Sequence, residues 1–451
     1  MDNITQETGI RFFQEKRYAE AAEAFRQLLA QPLPPGLEAD TRRRLADTLA
    51  SMGQAEESAE ERELAGNIAG SSTGDPMALM TKGDLLKRDH RYDEACTAYE
   101  QALRLMQTLP PDAEPSRAYL MAKLALAHYE ASRPAKTVIW AGASLANGPN
   151  PTIRLIMHRM CGVGYSTLGE LEKAEAHYIQ ALKLAGAGGK PQEIAQSLMT
   201  LAGVQHKRGR FEAAIATAQR ATETFPHPSR GGLLVEAECL RDMGQFEEAR
   251  AVVAAMKEGP RWDRPDVEQR TQVICSLTLA WIEANADQPE AALPALQEAW
   301  AGLGVSREAF PLAPPPAEGE DKLVLYCDAT AVRVYAQLGQ AGNARQMQES
   351  VESRLPRFDP DRASQLGVYS ELALAASALG DFSQSLNWWH KYLDARPDVV
   401  GLTKAHHGLG VTNLGLGEID AAREAFRQAV APGIDSIYAR RAQARVEELG
   451  G

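Results

Sequence analysis

The feature that most constrains this chain is a short pattern that returns along its length. Gly209-Arg210-Phe211-Glu212-Ala213-Ala214 reads glycine, polar, bulky apolar, two mostly polar residues, alanine. Gly169-Glu170-Leu171-Glu172-Lys173-Ala174, Gly244-Gln245-Phe246-Glu247-Glu248-Ala249 and Gly417-Glu418-Ile419-Asp420-Ala421-Ala422 repeat it. Gly380 to Ser385 puts serine in the alanine place, and the segments from Gly53 and Gly339 lack the bulky residue. Near the N-terminus a basic residue, Arg17 or Arg91, stands in the glycine place.

Apolar segments of helical period flank each copy. Leu198, Leu201 and Ala202 precede one turn, and Ala214, Ala218 and Ala221 follow it at i, i+4 and i+7, on one helix face. Ala95, Tyr99, Ala102 and Ala422, Phe426, Ala429 repeat that face. Glycine ends the first helix because it adopts the left-handed conformation without a Cβ clash. Alanine early in the second helix lets two antiparallel helices approach closely. The aromatic four residues later is expected to fill the wider gap to the next unit.

These residues resemble the tetratricopeptide repeat, a helix–turn–helix unit of about 34 residues. Its alanine-like positions fall at Ala21, Ser58, Ala95, Thr137, Ala174, Ala214, Ala249, Ala292, Ala344, Ser385 and Ala422, mostly 35–43 residues apart. The resemblance implies an all-α, right-handed α-solenoid of about eleven repeats, closed by a C-terminal capping helix carrying Tyr438, Ala442 and Val446 on one side. The fourth and eighth units, with Pro134 and Pro289 in their turns, match poorly. Residues 1–65 are expected to hold repeats one and two, 76–303 repeats three to eight, and 323–451 repeats nine to eleven with the cap. A hinge is expected at the glycine- and serine-rich stretch 66–76. Residues 304–322, rich in proline and acid, read as an insertion, either a linker or a partner-docking segment.

Composition narrows the function classes. Lys and Arg number 48 against 60 Asp and Glu, a net charge of −12 in 451 residues, so the overall field does not attract nucleic acid. The longest basic run, Arg42-Arg43-Arg44, reads as a solvated helix face. No segment reaches the roughly 18 apolar residues of a membrane span. Met1 to Glu7 has no basic leader, and Cys96, Cys161, Cys239, Cys275 and Cys327 are scattered, so thiols in a reducing cytoplasm are expected.

No reactive constellation appears. Gly186-Ala187-Gly188-Gly189-Lys190-Pro191 has the wrong spacing for a phosphate loop, and Gly162-Val163-Gly164 lacks the third glycine of a dinucleotide fingerprint. His406 and His407 point about 100° apart on a helix, so they do not form a metal pair. No catalytic residue, metal or cofactor is expected. Trp389 occupies an aromatic repeat position and belongs to the core; its neighbour Trp388 is a candidate exposed anchor.

The family holds an extended peptide or partner helix in a groove lined by first helices. Carried over by repeat position, that groove presents Arg159, Val163, Met199, Gly203, His206, Lys207, Leu234, Glu238, Arg241, Leu277, Trp281, Thr330, Arg333, Ser370 and Leu374. Trp281 and Leu277 would anchor an apolar segment of some acidic character, with Arg159, Arg241 and Arg333 as charge contacts. The lysine and asparagines with which some relatives clamp a C-terminal carboxylate are missing: the fifth position is Gln6, Arg43, Met80, Arg159 or Met199. The expected function is therefore a non-catalytic scaffold or adaptor with a protein or peptide partner. The alternative is a ligand- or peptide-sensing regulator acting on a separate effector. Nothing in the sequence specifies an oligomeric state.

Overall fold

A computed structural model describes residues 5–110, 116–225, 230–305, 322–358 and 362–450. Contacts divide the chain into two units, Met1–Leu184 and Ala185–Gly451. The first contains the helix pairs α1 Gln6–Gln14 and α2 Tyr18–Leu29, α3 Pro35–Ser51 and α4 Ala55–Ser71, α5 Pro76–Arg88 and α6 Tyr92–Leu105, α7 Arg117–Glu130 and α8 Pro134–Ala146, and α9 Pro151–Thr167 with α10 Leu171–Gly188 running past the boundary. The second continues with α11 Pro191–Lys207 and α12 Phe211–Thr224, α13 Gly231–Asp242 and α14 Phe246–Glu258, and α15 Pro265–Asn285 and α16 Pro289–Gly302. It ends with α17 Lys322–Gln337 and α18 Ala341–Arg354, α19 Arg362–Ala378 and α20 Phe382–Asp394, α21 Val399–Leu416 and α22 Ile419–Val430, and a single helix α23 Ile437–Glu448. No strand occurs among the described residues. Among the described residues the architecture is an α-solenoid of eleven helix pairs and a final helix.

Every alanine-like position is buried, from Ala21 at 0% exposure to Ser58 at 2%. Where serine replaces the alanine, its hydroxyl bonds the facing helix: Ser58 Oγ donates to Ala46 O at 2.8 Å, and Ser385 Oγ to Ala373 O at 2.9 Å; the Thr137 hydroxyl instead donates to Arg133 O at 3.0 Å in its own turn. A buried hydroxyl needs such a partner, and the close approach that favours alanine supplies it.

Every elbow carries a left-handed residue. Seven are glycines: Gly53, Gly169, Gly209, Gly244, Gly339, Gly380 and Gly417. The other four are Lys16, His90, Ser132 and Asp287, each with φ of 56–59°. This corrects the reading of Arg17 and Arg91: the glycine place belongs to Lys16 and His90, one residue earlier. It also explains why the fourth and eighth units looked poor. Their elbows use Ser132 and Asp287, while Pro134 and Pro289 open the second helices, where a missing N–H costs nothing.

The aromatics meet their own unit as well as the next: Phe25 shares a core cluster with Leu45 and Leu49 of α3, and Tyr99 with Leu120 and Leu124 of α7. Phe25, Tyr99, Tyr178 and Phe426 lie against Gly9, Gly83, Gly162 and Gly410 of their own first helices, where any Cβ would overlap the ring. Gly162 thus serves packing, consistent with its failure as a nucleotide fingerprint. The expected hinge at 66–76 is largely helical: α4 runs through Ser71, and Asp75 caps α5 while accepting the Gly36 N–H at 2.8 Å. The proline-rich insertion lies outside the described residues, apart from Gly304, Val305 and Lys322 at its edges.

Candidate partner-binding surface

The first helices of unit 1 carry an extended network of charge. Asp40, 2% exposed, accepts from Arg43 at 2.6 Å, Arg44 at 2.7 Å and Gln6 at 2.8 Å. Burial alone would raise its pKa; the two guanidinium groups overcome that and hold it at about 2. Asp84 accepts from the Tyr99 hydroxyl at 2.6 Å and from Lys123 at 2.9 Å. Asp47 joins Arg43 at 3.1 Å to Arg88 at 2.7 Å. The basic triplet is therefore not a solvated face: Arg42 pairs with Glu38 and Glu61, while Arg43 and Arg44 converge on Asp40.

Two cavities open beside this network. One, of about 310 Å³, is bounded by α3, α5 and α7 through Arg43, Asp47, Asp84, Leu85, Lys87, Arg88 and Lys123. The other, of about 260 Å³, is bounded by α1, α2 and α3 through Ile10, Phe13, Gln14, Phe25, Arg43, Arg44 and Asp47. They share Arg43 and Asp47.

In unit 2 the expected groove residues meet one another. His206 Nε2 lies 2.8 Å from Asp242, which also accepts from Arg241 at 2.9 Å. Burial works against both charges of the His206–Asp242 pair, yet their attraction and Arg241 prevail: Asp242 is held far below the carboxylate range and His206 is raised. The Arg241 guanidinium sits 6.0 Å from the Trp281 ring centroid, and Trp281 Nε1 donates to Thr330 Oγ1 at 2.8 Å.

Several of the expected contact residues are already buried or paired. Leu277 is 2% exposed and belongs to the core, so it is not an anchor. Arg333, 5% exposed, donates to Ala284 O at 2.7 Å and pairs with Glu371, so it is not a free charge contact. Thr330 and Ser370 are buried as well. Trp388 stacks on Tyr369 with centroids 5.6 Å apart under Lys391 and is buried, whereas Trp389 is core as expected. Arg159 and Val163 on α9, Met199, Gly203 and Lys207 on α11, Leu234 and Glu238 on α13, and Leu374 on α19 are half-buried.

Unit 2 also meets its own C-terminal end. Tyr438 bonds Asn285, Arg440 bonds Met243 O, and Arg441 pairs with Asp287 at 3.3 Å. Ile434 and Ile437 lie against the elbow glycines Gly209 and Gly244. Lys404 reaches Glu371 beside Arg333.

Family models for the tetratricopeptide repeat match residues 155–226 and 403–431. The chain contains tetratricopeptide repeats. No curated protein matches its sequence. Solved structures similar to this repeat protein include a Rap protein complexed with competence and sporulation factor, at 12% identity over 84% of this chain and 99% of that one, with a TM-score of 0.51. The apo form of RapI matches at 13% identity over 71% and 97%, with a TM-score of 0.43. Yeast Tom70 matches at 13% identity over 98% and 94%, with a TM-score of 0.38. Such identities speak to the fold alone.

The repeat register that located Arg159 also passes through Arg43, so part of the unit 1 surface was within reach of the sequence. Asp84 and Lys123 acquire meaning only once their helices are side by side. No helix among the described residues is long and apolar enough to cross a membrane.

Proposed function

We propose that this tetratricopeptide repeat protein is a non-catalytic scaffold or adaptor that holds a peptide or partner-protein segment against the first helices of unit 1. The observation that carries this reading is the pair of adjoining cavities bounded by α1, α3, α5 and α7, which join an apolar recess to a charged one. The repeats themselves imply protein partners. Half-buried positions of unit 2, Met199, Leu234 and Glu238 among them, would extend the surface. The five cysteines are buried thiols, which supports a reducing compartment such as the cytoplasm.

The test is photo-crosslinking from benzophenone side chains placed singly at Phe13, Leu85 and Ile139 of the full chain in cells. Ile139, on second helix α8, is 64% exposed and serves as the outside control. One protein captured from both Phe13 and Leu85 is the expected result. Capture from Ile139 alone overturns the reading.

A second reading, a peptide- or ligand-sensing regulator, is favoured by the contacts that hold α23 against α13 and α15. A ligand that prefers the parted or the closed arrangement would shift their balance by its differential affinity. A ligand that raises the melting temperature and changes hydrogen exchange over residues 434–448 supports it; one that changes neither does not.

A further inference from the structure

Resting on the scaffold reading, we propose that the unit 1 surface recognises an acidic peptide segment in which an apolar side chain neighbours one or two carboxylates. The argument starts from charge. The chain as a whole is acidic at −12, yet the linings of the two cavities contain five cations, Arg43, Arg44, Lys87, Arg88 and Lys123, against two carboxylates, Asp47 and Asp84. Of those two, Asp84 has a 7% exposed side chain and is already held by Lys123 and Tyr99. Asp47, at 38%, is the lining carboxylate that reaches solvent.

The cations at the mouth are held by partners an incoming carboxylate can replace. Arg88 is 41% exposed and pairs with the equally open Asp47, and Lys87 pairs with Glu130, itself 37% exposed. Exposed pairs of this kind contribute little to stability, so exchange with a peptide carboxylate costs little. Arg62 of α4 lies near Arg88, and its Nε makes no hydrogen bond.

The second cavity supplies the apolar half of the motif. Its volume of about 260 Å³ suits one leucine- or phenylalanine-sized side chain, and Ile10, Phe13 and Phe25 form its apolar wall. Because Arg43 and Asp47 border both cavities, an apolar residue and an acidic one close to each other in a peptide reach both. A single-stranded nucleic acid fits less well. It needs several open aromatic faces for stacking, but of the lining aromatics Phe25 is 1% exposed with its ring against Gly9, which leaves Phe13 alone, and the acidic chain repels a long polyanion.

The test is selection of a random twelve-residue peptide display library on the full chain. Selected peptides are then measured by fluorescence polarisation on wild type, Arg88→Glu, Lys87→Glu and Phe13→Asp, each shown by circular dichroism to keep its helix content. The expected result is enrichment of Asp or Glu beside Leu, Ile or Phe. Affinity should fall at least tenfold in each charge reversal and in Phe13→Asp, and weaken between 50 and 300 mM salt. Lysine in place of the peptide acids should abolish binding. Selected peptides without acid that still lose binding in Phe13→Asp overturn the acidic motif and leave the scaffold reading standing. Peptides indifferent to all three variants overturn both. A ten-nucleotide oligo-dT that displaces the peptides at equal concentration overturns the choice of a peptide. Absence of enrichment also overturns the motif, and the crosslinking experiment then decides the scaffold reading.

Discussion

The Tyr438 hydroxyl donates to Asn285 Oδ1 at 2.7 Å across 153 residues of sequence. Asn285 is fully engaged, since its Nδ2 donates to Trp281 O at 2.7 Å and Arg333 approaches the same Oδ1 at 3.4 Å. The final helix is therefore more than a polar lid on the last repeat: it joins α15 to the end of unit 2. Tyr438→Phe keeps the ring against His407 and removes only the hydrogen bond. A loss of about 1 kcal/mol is expected from a buried bond of this type. Urea denaturation measures it, and hydrogen exchange should quicken in α23 and in the C-terminal turn of α15 together. Faster exchange in α23 alone would show that the two helices are not coupled.

Two glycine-to-alanine changes in unit 1 should have opposite signs. Gly83 on α5 faces the Tyr99 ring, and a methyl there has no room, so Gly83→Ala is expected to destabilise by about 1–3 kcal/mol. Gly142 on α8 is exposed and meets nothing within 4 Å. Gly142→Ala should stabilise by about 0.5–1 kcal/mol through lower unfolded-state entropy and better helix propensity. Urea midpoints of the two variants against wild type decide it; like signs would contradict the packing described for Tyr99.

That contrast marks what the sequence could convey. Elbow glycines and alanine faces are legible because each depends on residues within about twenty positions, and the eleven alanine-like sites all prove buried. Ser132 and Asp287 escape notice because left-handed backbone is not confined to glycine. The groove in unit 2 is a different matter. Whether Arg333 faces a partner or Glu371, and whether α23 meets α15, depends on small rotations accumulated over six repeats. No local period encodes that sum. Unit 1 was closer to legible, since Arg43 shares a repeat position with Arg159 and its acid partner Asp40 lies three residues away on the same helix, but Asp84 sits on α5, whose apposition had first to be known.

Buried histidines give the stability a pH dependence of two signs. His128 and His407 are pushed down to about 4, by burial first and then by Lys136 and Arg133 near the one and Arg441 and Arg445 near the other. Both stay neutral in the fold while the unfolded chain takes up protons near pH 6.5, so stability falls as pH drops from about 6.5 to about 4. His206 is raised by Asp242 against burial. Its contribution is fully present below about pH 6.5 and fades as pH rises through its folded value. His128→Gln should therefore lose less stability than wild type between pH 7 and 4.5. The deficit of His206→Gln should be larger at pH 5.5 than at pH 8.5. Urea midpoints across that range provide the check, and a pH-independent difference in either variant would contradict the assigned charge states.

Asp328 and Arg354 form an ion pair at 2.7 Å with both side chains at 0% exposure. Asp328 also accepts from Trp300 Nε1 at 2.8 Å, so it links α16 of the eighth repeat to α17 and α18 of the ninth. Two buried charges gain little over a neutral pair once desolvation is counted, but breaking the pair from one side costs far more. Arg354→Gln alone should cost about 3–5 kcal/mol for that reason. Adding Asp328→Asn discharges the site, keeps an acceptor for Trp300 and lets the two amides bond, so the double variant should recover most of the loss. Guanidinium denaturation of the two single variants and the double gives the coupling. A double variant no more stable than Arg354→Gln would mean that the cost lies in lost packing and not in the broken charge pair.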